Sequence, residues 1–299
     1  MSLVLALCLD ALFGEPKWLW ERIPHPAVLM GRAVGWIDET VNKGGWRKLR
    51  GALAFGSLCL VALGIGAALK AVPGEVLDVI VAAMLFAQKS LVQHVRDVGD
   101  ALRLSLPEGR RMVARIVGRD TTKMDTAAVS RAAIESAAEN LSDGVVAPVF
   151  WFAVGGLPGL LLYKITNTAD SMVGYRTPRH EAFGWAAARF DDLLNWVPAR
   201  LTALLIALTH LDLGAASDIR KDACLHRSPN AGWPEAAMAR VLGVALSGPR
   251  SYDGVLQSFP FVNASGRKEI GSSDIDASIS ALWRVWAALL GLAVLSALL

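Results

Sequence analysis

Residues Gly51 to Val95, GALAFGSLCLVALGIGAALKAVPGEVLDVIVAAMLFAQKSLVQHV, decide the fold. Gly51 to Val72 holds one charge, Lys70, near its end. A helix needs about 20 mostly apolar residues to cross the hydrocarbon core of a bilayer, so this stretch is long enough to span. Val79 to Val95 is a second run, less clean because Gln88, Lys89 and His94 fall in its last turns. Pro73-Gly74 supplies the tight turn between the two. Cations crowd both flanks: Lys43, Arg47, Lys48 and Arg50 before, then Arg96, Arg103, Arg110, Arg111, Arg115 and Arg119 after. The positive-inside rule therefore predicts that both flanks are cytoplasmic and that the Pro73-Gly74 turn is outside.

Outward from this hairpin the apolar runs continue. Val145 to Ile165 is broken at its middle by Gly155-Gly156-Leu157-Pro158-Gly159, a density of glycine and proline that a straight helix does not tolerate. A kinked span would put the polar residues on either side of it on opposite membrane faces. A re-entrant pair of half-helices would return the chain to the face it left, and such backbone is tolerated where protein or water covers it. The re-entrant reading is preferred, because it lets both polar blocks share one site. Trp196 to Leu213, with Pro198, Arg200 and His210, is a further apolar stretch, and Ile279 to Leu299 is the last, with Trp283 and Trp286 suited to an interfacial belt. Met1 to Phe13 is apolar, lacks a basic leader region and contains Asp10, so it reads as a retained membrane helix or half-helix.

Composition agrees with lipid as the solvent. The 299 residues are 54% hydrophobic and 19% charged, with mean hydropathy +0.41, against about 25% charged in soluble domains. A net charge of +3 is too small to suggest nucleic acid. Cys8, Cys59 and Cys224 are too far apart in the chain to suggest a metal or redox pair. The expected fold class is all-α: a polytopic integral membrane helical protein with a broken or re-entrant pair around Gly155–Gly159. It reads as one membrane-embedded domain over residues 1–299, with cytoplasmic loops at about 96–125 and 212–278.

Three polar blocks could carry chemistry. Asp125 to Gly144 reads as a helix capped by Asp125 or Thr126 and stopped by Gly144. Along it Arg131, Glu135, Glu139 and Asp143 recur every four residues on one stripe, with Asn140 beside them. The plain interpretation is a solvated face with an Arg131–Glu135 pair worth about 0.3–0.5 kcal/mol. The alternative is that three acids on one stripe surround a cation. Oxygen ligands at this spacing suit Mg²⁺, which takes one or two carboxylates plus phosphate oxygens. The second block, KITNTADSMVGYR, sets Lys164, Asn167, Asp170 and Ser171 at three- and four-residue steps just after an apolar run, with Arg176 closing it. Ionisable groups at a membrane boundary are costly and usually paired or functional, the plain alternative being a snorkelling lysine. The third is Asp191-Asp192 with Asn195 and Arg200. Adjacent aspartates at the start of an apolar segment suit a metal–phosphate site, although such a pair alone as often caps a helix. Upstream, Gly118-Arg119-Asp120-Thr121-Thr122 places an acid, hydroxyls and a cation in a loop. The chain has no phosphate-loop, dinucleotide-fold, zinc-site or nucleophile-elbow motif.

Taken together, DALFGEP, PHPAVLMGR, VGRDTTKMD, ESAAENLSDGVVAP, YKITNTADSMVGYR, FGWAAARFDDLLNWVPARLT and SPNAGWPEAAMA resemble the adenosylcobinamide-phosphate synthase family, the CobD/CbiB-type cobalamin biosynthesis proteins. The resemblance runs from about Asp10 to Ser278 and is most specific from Gly118 to Thr202. It implies an enzyme of the cell (inner) membrane that joins a propionate of adenosylcobyric acid to aminopropanol or its O-phosphate, driven by ATP and Mg²⁺. On that footing Glu135, Glu139, Asp143, Asp170, Asp191 and Asp192 are the candidate metal ligands. Asn140 and Asn167 would position phosphate or amide groups, Lys164, Arg176 and Arg119 would neutralise phosphate oxygens, and Asp120 would serve as base for the amine. Thr121, Ser171 and Arg200 complete the substrate-binding set. The expected partners are the corrinoid and amine substrates and the bilayer, with homo-oligomerisation left open. Two other classes remain in view. A membrane prenyltransferase would use Asn167/Asp170 and Asp191/Asp192 to hold Mg²⁺–diphosphate. A transporter, for which the broken segment is typical, would have the motif residues line a path through the bilayer with binding near the midplane.

Overall fold

The computed structural model describes residues 1–252 and 255–299, leaving aside the side chains of residues 17, 213, 251, 252, 255 and 256. Asp253 and Gly254, inside the stretch expected to be a loop at 212–278, lie outside the described residues. The chain is helical nearly throughout. It begins with α1 (Ser2–Phe13), α2 (Lys17–Trp20), α3 (Pro26–Val41), α4 (Arg47–Lys70) and α5 (Val76–Leu85). There follow α6 (Gln88–Leu104), α7 (Leu106–Val113), α8 (Thr126–Leu141) and, beyond a π-helical turn at Ser142–Val146, α9 (Ala147–Val173). Then come α10 (Trp185–Leu194), α11 (Trp196–Thr209), α12 (Ala216–Ala223), α13 (Gly232–Leu242) and α14 (Ser272–Leu298). Between α13 and α14 two short antiparallel pairs form, β1 (Leu246–Ser247) with β4 (Phe261–Val262) and β2 (Arg250–Tyr252) with β3 (Val255–Gln257). Among the described residues, four stretches are long and apolar enough to cross a membrane: Arg47–Lys70, Val76–Leu104, Thr126–Val173 and Ser272–Leu298.

These elements form two compact units. One comprises Met1–Ala87, Ala147–Trp196 and Ala293–Leu299; the other comprises Gln88–Val146 and Val197–Leu292. In the first, α9 is the hub, touching α3, α4, α5 and α10. It is not one rod. Gly156 has φ 59° and ψ −150°, a conformation open to glycine but not to a helix. The two arms then fold back on each other: a Cβ at Gly159 would sit 2.5 Å from the carbonyl oxygen of Trp151. Eight residues of continuous helix would hold those positions about 12 Å apart. Consistently, Ala147 on one arm and Tyr163 on the other share a buried cluster with Leu194 of α10, against which Trp151 and Phe190 pack. Trp151 Nε1 donates to Leu194 O at 3.1 Å, so its one polar atom is satisfied. The break expected at Gly155–Gly159 is therefore present, and its two half-helices fold back on each other as the re-entrant reading requires.

In the second unit α8 is the hub, packed by α6, α7, α13 and β1. Val129, Ala132, Ala133, Ile134, Ala137, Ala138 and Leu141 are all fully buried. The alanines let neighbouring backbones approach closely. Asp125 caps α8 as expected, its Oδ1 accepting from Ala128 N at 2.7 Å.

Three expectations are corrected. The basic stretch at about 96–125 is not simply a loop. It continues as α6 and then α7, because Leu91, Val92, Val95, Val98 and Ala101 recur at helical spacing and bury one face. Val79–Val95 is not one helix, since Phe86 is extended (φ −76°, ψ 153°) and separates α5 from α6. Gly144 does not stop the helix begun at Asp125; it lies in the π-helical turn that carries α8 into α9.

Candidate functional site

The second unit holds the denser set of expected residues. α8 presents Glu135, and both of its oxygens are engaged. Arg119 Nη2 donates to Oε2 at 2.7 Å, and the backbone N–H of Ser247 donates to Oε1 at 2.7 Å. Arg250 Nη2 lies 3.6 Å from Oε2 and bonds Ser247 Oγ at 2.6 Å. The side chains of Arg119 and Glu135 are 8% and 9% exposed, so this ion pair is desolvated, and both carboxylate oxygens keep a hydrogen-bond donor. Ser247 has φ 60° and Gly248 φ 81°. This left-handed turn, costly for a non-glycine residue, aims the Ser247 N–H at the carboxylate. Glu135 is thus a clasp for two arginines, with little left to offer a metal. Arg131 does not pair with it; its guanidinium donates to Ala245 O (3.0 Å) and Lys268 O (3.1 Å).

Around this clasp lie two cavities. The larger, about 330 Å³, is walled by Arg119, Lys123, Arg131 and Arg250, with Asp120 and Asp125 as its acids. Four cations against two carboxylates suit a ligand carrying several negative charges. Asp120 accepts from Thr122 N (2.9 Å) and Thr122 Oγ1 (2.7 Å), and these bonds hold its carboxyl below the usual range. It stays ionised, suited to attracting an ammonium group and weak as a base. The smaller cavity, about 240 Å³, is lined by Glu139, His226, Arg227, Ser247, Arg250 and Phe259, among others. Arg227 and Arg250 stack on the Phe259 ring at 4.3 and 5.2 Å. Nearby, Glu235 is 5% exposed, and its Oε1 has no hydrogen-bond partner among the described residues. Burial foremost, and then the neighbouring Glu135 carboxylate, push its carboxyl well above the ordinary range. Ser228 N donates to Nδ1 of His226 at 3.0 Å, which leaves the ring N–H on the nitrogen 3.7 Å from Glu235 Oε2.

The remaining expected residues of this unit stand apart in role. Asn140 donates back to Ser136 O at 2.9 Å, Thr121 is buried, and Asp143 lies in the π-helical turn. Arg200 lies over the Trp233 ring at 4.7 Å and bonds Asn230 Oδ1 at 3.2 Å, which ties it to the Ser228–Trp233 turn.

The first unit gathers the other block. Asn195 Nδ2 donates to Asp191 Oδ2 at 2.9 Å, and Tyr163 OH donates to Asn195 Oδ1 at 3.0 Å. Asn167 also bonds the Asp191 side chain, while Asp191 Oδ1 is buried without a partner among the described residues. Burial and the adjacent Asp170 carboxyl push Asp191 up to about 7. Burial raises Asp192 as well, opposed by Arg189, 3.6 Å away, and by Arg176. Lys164 is half-buried, Ser171 is exposed in the last turn of α9, and Arg176 is exposed in the loop that follows it. The loop after Arg176 is held by Asp38, which accepts two bonds from Arg179 at 3.0 and 2.7 Å. His25, between its prolines, caps α3 by accepting from Ala27 N at 3.1 Å. Among the described residues no three His, Cys, Asp or Glu side chains gather as a metal cage. A site for Mg²⁺ here would use one or two carboxylates plus oxygens of a bound phosphate.

Sequence reasoning missed Arg250, His226, Glu235 and Lys123. They come to the clasp from chain positions with no fixed spacing to Glu135, and the only local signal was the turn-forming Ser247-Gly248-Pro249.

The chain matches a family model described as CobD/Cbib protein over residues 3–282. It is 48% identical over 301 residues to the cobalamin biosynthesis protein CobD of Sinorhizobium fredii, covering 95% of this chain and 92% of that one. It is 46% identical over 314 residues to the protein of the same name from Brucella suis, covering 99% and 96%. The Rhodobacter capsulatus protein of that name is 45% identical over 271 residues, covering 88% and 86%. No solved structure matches.

Proposed function

The chain belongs to the CobD/CbiB family, and from that premise we propose that this cobalamin biosynthesis protein is a membrane ligase. It joins a propionate carboxylate of adenosylcobyric acid to aminopropanol or its O-phosphate, at the expense of ATP, in the inner membrane with its site facing the cytoplasm. The observation that carries the reading is the cavity walled by Arg119, Lys123, Arg131 and Arg250. A carboxylate is a poor electrophile toward an amine. Transfer of the ATP γ-phosphoryl group turns it into an acyl phosphate, and catalysis of that transfer is largely positioning and charge neutralisation. Four cations around one cavity supply the neutralisation, and the Glu135 clasp fixes two of them before substrate arrives. Asp120, kept ionised by Thr122, attracts the ammonium of the incoming amine. Mg²⁺ would be held by Glu139 and Asp143 in this unit, or by Asp170 and Asp191 in the other, where Asp191 Oδ1 has no partner among the described residues. Bound there it would neutralise phosphate charge.

The test is reconstitution of purified protein in detergent with cobyric acid, amine, ATP and Mg²⁺, read by the mass of the corrinoid. A gain equal to the amine minus water, with ATP consumed, is expected. An unchanged corrinoid, or consumption of a prenyl diphosphate in place of ATP, overturns the reading.

A further inference from the structure

Arg250 and Ser247 line both of the cavities beside the Glu135 clasp. The cavities differ in character. The larger has four cations and room for a polyphosphate; the smaller has two guanidiniums stacked on one aromatic ring, with a carboxylate, Glu139, in its wall. A pair of guanidiniums presents the planar fork that grips a carboxylate. About 240 Å³ admits an acid side chain with a small amine beside it, but not a macrocycle. Arg250 is also held more firmly than a surface cation. It is tied to Ser247 Oγ, it sits 3.6 Å from Glu135, and it follows a left-handed Ser247-Gly248 turn. Strain of that kind is stored where position matters.

Resting on the ligase reading, we propose that Arg250 is a catalytic residue that holds the phosphoryl group in transit, and that the smaller cavity seats the carboxylate receiving it, with Arg227 as its second clamp. The carboxylate oxygen forms a bond to the γ-phosphorus, the bond from that phosphorus to the β-bridging oxygen breaks, and ADP leaves with the electron pair. The amine then attacks the acyl carbon, inorganic phosphate leaves, and the proton lost from nitrogen goes to solvent or to a wall carboxylate such as Glu139. Arg250 faces both cavities, so it touches the phosphoryl group before and after transfer. Arg227 lines only the carboxylate side.

The experiment uses the full-length enzyme and ATP carrying ¹⁸O in the β,γ-bridge. Scrambling of that label requires reversible transfer to the acid, and needs no amine. Wild type is expected to scramble the label only when the corrinoid acid is present. Arg250→Gln is expected to lose about 100-fold in that rate, in line with removal of one preorganised donor, and Arg250→Lys to recover part of it. Arg227 is exposed, so Arg227→Gln is expected to fold normally. It should raise KM for the acid about tenfold and leave KM for ATP within twofold. Scrambling within twofold of wild type in Arg250→Gln overturns the proposal, as does an Arg227→Gln effect on ATP and not on the acid. So does amide formation by wild type with no acid-dependent scrambling. If wild type forms no amide at all, the ligase reading falls and this assignment falls with it.

Discussion

Asp191 shows what burying a carboxyl does at the scale of one residue. Its Oδ2 is satisfied by Asn195, its Oδ1 by nothing among the described residues, and its pKa is raised from 3.8 to about 7. The unfolded chain releases this proton near pH 4, whereas the folded chain keeps it until about pH 7. Between those values the folded state binds more protons, so stability falls as pH rises across the window. In magnesium-free detergent the wild-type unfolding midpoint is therefore expected to drop from pH 5 to pH 8. Asp191→Asn, which cannot ionise, should flatten that slope and be the more stable protein at pH 8. Equal slopes would show that Asp191 titrates normally. Legibility differs sharply among single residues. Arg131, Glu135 and Glu139 can be read because helical spacing puts them on one stripe, and Asp125 because it stands where a helix needs its cap. Arg250 cannot, because Ser247 N reaches Glu135 across 112 residues of chain, and no local pattern encodes such a closure.

Elements are legible where glycine and proline punctuate them and opaque elsewhere. The break in α9 is expected from Gly155–Gly159, whereas Phe86-Ala87 between α5 and α6 carries no such mark. The charged face of α6 disguises it as a loop, although its buried face recurs at helical spacing. The folded-back pair makes a prediction at this scale. A Cβ at Gly159 would lie 2.5 Å from Trp151 O, a backbone atom that cannot swing aside, whereas one at Gly155 meets nothing within 4 Å. Gly159→Ala should destabilise by roughly 1–3 kcal/mol, as overpacking does. Gly155→Ala should be neutral or stabilising by up to about 1 kcal/mol through helix propensity. Unfolding in denaturing detergent, the two variants side by side, measures the difference. Equal behaviour would mean the arms do not pack.

At the scale of the whole molecule the sequence specifies which stretches are apolar enough for lipid, and charge specifies which way they point. Ten Lys and Arg flank the Gly51–Val95 stretch, and none lies in the Pro73-Gly74 turn. Translocating a cation-rich flank is far costlier than translocating that turn, so the flanks are expected in the cytoplasm, and the proposed function expects the 212–278 segment there too. The three native cysteines give a direct measure. Cys224 is exposed, while Cys8 and Cys59 are partly buried within apolar helices. A thiol reacts as its thiolate, which apolar surroundings suppress and water permits. A membrane-impermeant maleimide should therefore modify Cys224 alone. It is expected to do so in inverted vesicles and not in intact cells, and Cys224→Ser should abolish the labelling. Labelling from outside intact cells would reverse the assigned orientation. It would also move the Arg119–Glu135–Arg250 clasp, which shares the second unit with Cys224, away from the cytoplasmic supply of ATP. The cytoplasmic placement of the active site would then fail together with the topology.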